Sequence, residues 1–209
     1  MPGGLLITGF GAFPGVPRNP SATLARRIGV LARPKVGGTP VRVLILRTTY
    51  AAIPAMLEPA LAEAPSAILM LGVAARARRV RVEIQGRNRT SRLFPDASGR
   101  IAARSTLEPD GPAARRSPAA PFALASLRRS GIAAIPSRDA GRYLCNATYF
   151  RALREGPTTL FVHIPLPPLT RRPAKGSARP QRQTSAETLA RACAEMARSL
   201  VVRGRAGAR

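Results

Sequence analysis

The sequence holds one histidine, two cysteines, no tryptophan and only ten acidic residues among 209. Each scarcity excludes something. One His and two Cys cannot make a structural zinc cage, so no metal site is expected. The two thiols lie in unlike segments, Cys145 before NATYFRAL and Cys193 within ETLARACAEMA. They read as free thiols of a reducing compartment, which places the chain in the cytoplasm. No apolar run approaches the ~18 residues of a membrane span, so no membrane association is expected. The opening LLITGFG is short, broken by Gly and not preceded by basic residues. It reads as a first strand and not as a signal peptide. Aromatics make up 4% of the chain, so its core is built from small side chains, Ala above all.

What is abundant is positive charge. Lys and Arg number 34 and the formal net charge is +24. All but Lys35 and Lys175 are arginine, scattered among Ala, Gly and Pro. Those four residue types share GC-rich codons, so codon bias accounts for much of the excess. The charge implies salt-sensitive, non-specific adhesion to polyanions, not a dedicated nucleic-acid site.

The length suits a single domain over residues 1–209. Short apolar runs at 5–8, 41–46, 67–71 and 158–164 predict strands, and the alternation at 80–84 predicts another. Helices are predicted from Pro20-Ser21 to 32, over 50–64 with a kink at Pro59, and over 122–130, 146–154 and 184–201. The last opens on a capping box, Thr184 with Glu187. Residues 9–20, with three Gly and three Pro, form a loop, and 131–136 lead into a strand-like turn. The middle, 94–121, is expected to wander over the surface with short strand pieces at most. A basic loop at about 166–182 and a disordered tail at about 203–209 complete the layout. Alternating strands and helices predict an α/β sandwich around a mostly parallel sheet. Its sites should gather at the carboxyl ends of the strands, near 9–20, 71–76 and 163–165.

His163 ends an apolar strand, and a thiol nucleophile needs such a base because the thiolate is the reactive form. Cys145 stands immediately before a predicted helix, close to the positive end of its dipole and to free backbone N–H groups. Cys193 is spaced with Leu189 and Met196 on one helix face and reads as packing. A third group should orient the imidazole. Spacing leaves Glu83, in VRVEIQGRN, and Asp139, in SRDAGRYLC, both open, with Asp96, Glu108 and Asp110 in the loop-rich middle.

Four ordered segments narrow this. They are the stretch up to Ser21, ITGFGAFPGVPRNPS; Leu71-Gly72 followed by Glu83 and Asn88; SRDAGRYLCNATY; and FVHIP from Phe161 to Pro165. Together the chain resembles the pyroglutamyl peptidase I family, or pyrrolidone-carboxylate peptidases. The resemblance implies a three-layer α/β/α sandwich and a cysteine omega-peptidase with a Glu83, Cys145, His163 triad. The implied substrate is a peptide with an N-terminal pyroglutamyl residue. Phe10 and Phe13 match rings that sandwich the lactam, and Tyr143 and Leu144 match positions lining the same pocket. Asn19 matches a residue that orders the first loop. The resemblance brings in no cofactor and implies a homo-oligomer, often a tetramer. The chain departs from the pattern at Val73, where many members have Gln, at Ile84 for Arg and at Gly86 for Ala. These departures, with the arginine excess, motivate an alternative reading: a divergent member with altered substrate, or without catalysis, that binds peptides or polyanions.

Overall fold

The computed structural model describes residues 3–13, 15–156, 158–166 and 185–206. Apolar runs become strands where they are predicted. β1 (Leu5–Phe10), β2 (Val41–Leu46), β3 (Ala67–Val73), β4 (Val80–Glu83), β7 (Ala134–Ser137) and β8 (Thr159–Ile164) form one six-stranded sheet. Its order is β2-β1-β3-β8-β4-β7. All neighbours are parallel except β4 and β8, which run antiparallel. β5 (Gln85–Arg87) and β6 (Ala114–Arg116) make a separate two-stranded antiparallel ladder.

Helices cover both faces, as the three-layer expectation requires. α1 (Pro20–Ala32), α3 (Ala120–Arg129) and α5 (Ala186–Ala206) lie on one face. There Leu24, Ile28, Leu127, Met196 and Leu200 pack on Ile7, Leu69, Val82 and Leu160 of the sheet. α2 (Glu58–Ala62) and α4 (Leu144–Ala152) cover the other, where Leu57, Leu61, Leu144 and Tyr149 meet Leu6, Met70 and Phe161. Strand alternation produces this division, and each fully buried Leu or Ile stabilises the fold by roughly 1.5–3 kcal/mol. No described helix is long and apolar enough to cross a membrane.

Several boundaries differ from expectation for local physical reasons. The helix predicted over 50–64 is instead a wide π-helical turn, Ile53–Leu57, followed by α2. Pro59 has no N–H to give, and the Glu58 N–H bonds five residues back, to the Ile53 carbonyl. The tail predicted from Arg203 is helical as far as Ala206. Gly204 lies so close to Ser66 that a Cβ there would come within 1.8 Å of its carbonyl oxygen, and the Arg203 guanidinium stacks 4.2 Å over the Phe122 ring. Thr184 and nearly all of the predicted basic loop fall outside the described residues. Ser185 caps α5, its Oγ accepting from the Thr188 N–H at 3.0 Å, while Glu187 pairs with Arg27.

The middle segment carries little regular structure, yet it is tied down. Asn88 accepts from the Leu107 and Glu108 N–H groups and donates to the Glu108 and Gly111 carbonyls. Buried Asp96 accepts from the N–H groups of Tyr50, Ser98 and Arg100. Burial opposes its charge, but these bonds hold its carboxyl below the usual carboxylate range.

Candidate active site

β8 brings His163 to the site. Its odd and even residues face opposite ways, so Leu160, Val162 and Ile164 join the α1/α3/α5 core while Phe161 and His163 face α4. The Phe161 and His163 rings lie 4.7 Å apart. On β4, Val80 and Val82 sink into the opposite core, which turns Glu83 to the His163 side. The antiparallel register sets Arg81 across from His163 and Glu83 across from Phe161. From there the Glu83 Oε1 meets His163 Nδ1 at 2.8 Å. Glu83 is fully buried, and its Oε2 has no partner among the described residues.

The Cys145 side chain lies close enough to the same imidazole to favour its protonated form. Burial by itself would lower the His163 pKa. Cys145 and Glu83 together outweigh that and raise it to about 9. The ring therefore favours its protonated form at neutral pH.

Cys145 reaches this position through a turn. Gly141 adopts φ +91°, and Tyr143 is extended at the N-cap of α4 without a side-chain cap. The helix begins at Leu144, two residues earlier than predicted, so Cys145 sits inside its first turn and not before it. The Ala147 N–H makes the first intrahelical bond, to the Tyr143 carbonyl, leaving the N–H groups of Leu144, Cys145 and Asn146 without intrahelical acceptors. Beneath the sulfur lies Gly72. A Cβ on Gly72 would approach Cys145 Sγ to 2.9 Å and Phe161 to 2.7 Å. Gly72→Ala is expected to cut kcat by ~10-fold or more and to destabilise the fold by about 1–3 kcal/mol, because sulfur or ring must shift. Steady-state kinetics with a thermal melt checks both.

Asp139, the rival to Glu83, is not near His163. It is exposed, and its carboxylate accepts from Arg89 at 2.6 Å and from the Gly141 N–H at 2.9 Å. It shapes the turn that delivers Cys145. Glu108 pairs with Arg115, and Asp96 is engaged as described.

Phe10, Tyr143, Leu144 and Cys145 belong to one apolar cluster on the α4 face. Phe13 lies outside it, half-buried in the first loop, where its backbone pairs with Val16. Asn19 caps α1 through the Ser21 N–H at 3.0 Å and donates to the Gly11 carbonyl at 3.0 Å, which ties Gly11 to the start of α1. Val73 packs into the opposite core, so its side chain turns away from Cys145.

Some residues of the site were not singled out by sequence reasoning. Asn146 is buried, accepts from the Arg87 N–H and donates to the Arg87 and Arg89 carbonyls, each at 2.8 Å. Tyr149 donates to the Glu83 backbone carbonyl at 2.8 Å. Helix α4 thus carries Cys145 and grips the segment bearing Glu83. Only the Cys-Asn pair inside SRDAGRYLCNATY hinted at Asn146. Tyr50 stands edge-on to Tyr143, ring centroids 5.9 Å apart, and nothing in its spacing signalled this. Among the described residues, no three His, Cys, Asp or Glu side chains gather as for a metal ion.

Comparison with known proteins identifies the family and its fold. The pyroglutamyl peptidase family model matches residues 4–197. The chain is 34% identical over 182 residues to the pyrrolidone-carboxylate peptidase of Gloeobacter violaceus, covering 83% of this chain and 87% of that protein. It is 30% identical over 194 residues to that of Vibrio vulnificus, covering 88% and 86%. Its fold superposes on the crystal structure of pyrrolidone carboxyl peptidase from Thermus thermophilus with TM-score 0.74 and 32% identity, covering 92% of this chain and 97% of that one. The enzyme from Thermococcus litoralis gives TM-score 0.78 and 25% identity, covering 98% and 96%. The chain belongs to the pyroglutamyl peptidase family.

Proposed function

We propose that the chain is a cysteine peptidase that hydrolyses the bond after an N-terminal pyroglutamyl residue, through Cys145, His163 and Glu83. The observation that carries this reading is one imidazole held between a buried carboxylate and the thiol at the start of a helix. Cys145 attacks the pyroglutamyl carbonyl as thiolate, its proton residing on His163. The oxyanion is received by free N–H groups of the first turn of α4, where one such donor typically contributes ~10²–10³ in rate. His163 then gives its proton to the departing amine, leaving a thioester on Cys145. Water, deprotonated by His163, cleaves the thioester and releases pyroglutamate. Glu83 fixes the tautomer and offsets the imidazolium charge.

Phe10, Tyr143 and Leu144 supply an apolar wall for a flat, neutral lactam, and Phe13 covers its other ring face from the loop that Asn19 orders. The reading also carries the family's homo-oligomeric, often tetrameric, state and a cytoplasmic location. The arginine excess adds weak, salt-sensitive adhesion to polyanions.

A panel of coumarin amides bearing pyroglutamyl, prolyl, glutaminyl and acetyl-alanyl groups tests it. Pyroglutamyl should be preferred by ~100-fold or more in kcat/KM, since a site built for the lactam's N–H and carbonyl leaves polar groups unpaired with the others. Comparable rates across the panel would overturn the assignment.

A further inference from the structure

The turn joining β3 to β4 is an arginine cluster set against the active site. At its entry stands Gly72, which packs on Cys145, and at its exit Arg81, across from His163. Between them the Ala74 N–H donates to the Ile164 carbonyl at 2.9 Å, and the Ala77 N–H to the Ala74 carbonyl at 2.8 Å. The first bond pins the turn to the strand end that carries His163, and the second closes the turn on itself. Arg76, Arg78 and Arg79 are exposed on it, and Arg81 is half-buried. Since Val80 and Val82 sink into the opposite core, Arg81 shares the face of Glu83 and His163.

No carboxylate answers these charges. Residues 74–82 contain no acid. Eight of the ten acids are paired elsewhere: Glu83 with His163, Asp139 with Arg89, Glu108 with Arg115, Glu58 and Glu155 with Arg151, Glu63 with Arg42, Glu187 with Arg27 and Glu195 with Arg198. Asp96 is held by backbone N–H groups, and Asp110 lies in the middle segment. Among the described residues, no ion pair reaches Arg76, Arg78, Arg79 or Arg81. A run of solvated charge is ordinary on a surface. This one is bonded to the strand end that carries His163, the group that hands its proton to the departing peptide's new amine.

We propose that Arg76, Arg78, Arg79 and Arg81 form a subsite for the leaving portion of the substrate, and that it selects peptides with acidic residues directly after the pyroglutamyl group. This rests on the peptidase reading above. Guanidinium groups bind carboxylates in a two-pronged geometry, and cations at a rim act chiefly on the encounter rate, in a salt-dependent way.

The test compares kcat/KM for pyroglutamyl-Glu-Glu, pyroglutamyl-Ala-Ala and pyroglutamyl-Lys-Lys amides. At ~20 mM ionic strength the acidic peptide should exceed the neutral one by roughly tenfold, with the basic one slowest. Above ~0.5 M salt the difference should fall below about twofold. In the R76E/R78E/R79E variant, shown folded by circular dichroism, the order should invert. The salt titration of the parent protein stands alone if that variant does not fold. Equal values for the three peptides overturn the proposal, as does an acidic preference that survives in the folded variant. Equal values together with inhibition by an RNA oligonucleotide assign the turn to nucleic acid instead. Failure to cleave even pyroglutamyl-Ala-Ala points to the peptidase reading itself and takes the subsite with it.

Discussion

Cys145→Ala is expected to lower kcat/KM for a pyroglutamyl-coumarin reporter by on the order of 10⁴-fold or more, with the thermal midpoint within a few degrees of the parent. The size follows from the chemistry: without the sulfur there is no acyl intermediate, and only binding and the oxyanion donors remain. The small structural effect follows from the position. Cys145 is only partly buried, in the first turn of a helix, and loses one atom. Cys193→Ala is the matched control. Cys193 is fully enclosed in α5, and burial pushes its thiol up to about 12, so it stays protonated and out of reach. Its replacement should leave turnover intact and cost ~1 kcal/mol of stability. Iodoacetamide at neutral pH should accordingly label Cys145 alone, more slowly in the presence of a pyroglutamyl aldehyde. Full activity in Cys145→Ala would sink the mechanism.

Glu83→Gln should reduce kcat by ~10²–10⁴-fold while KM changes little, because Glu83 acts on the ring and not on the substrate. Its signature is a displaced pH profile. In the parent, with His163 raised to about 9, the imidazolium that protonates the leaving amine persists to that pH, and the alkaline limb falls there. Removing the carboxylate removes one of the two groups that raise the ring, so the limb should move to lower pH. Stability follows the same proton. The native state keeps it between the unfolded value of ~6.5 and about 9, so the contribution is complete below ~6.5 and is lost as pH climbs through that window. A Glu83→Gln profile with an unmoved alkaline limb would refute the role given to Glu83.

Much of this was legible in the sequence. The strands of the sheet are runs with one dominant environment, and Val41–Leu46 falls where the pattern put it. His163 and Cys145 stood out through rarity. What stayed hidden depended on partners far away in the chain. Asp139 and Glu83 are equally plausible by spacing. Only the antiparallel pairing of β4 with β8 turns Glu83 toward His163, while a local bond to Gly141 retains Asp139 in its turn. Val73 stands where many family members have Gln, but the alternation of β3 places it on the far face, with Leu69 and Leu71. The length of α5 depended on Gly204 meeting Ser66, a contact no helical pattern foretells.

The place of β8 in the sheet has a consequence for biosynthesis. Among the described residues it is the last strand in the chain, yet it lies between β3 and β4, near the middle of the sheet. Until it emerges from the ribosome, β3 and β4 each present an unpaired apolar edge, the kind of surface that recruits other chains. Its insertion closes both edges and delivers His163 to Glu83 and Cys145 in the same step. The nascent protein is thus most exposed to aggregation just before its last strand docks, and proteolytically silent until then.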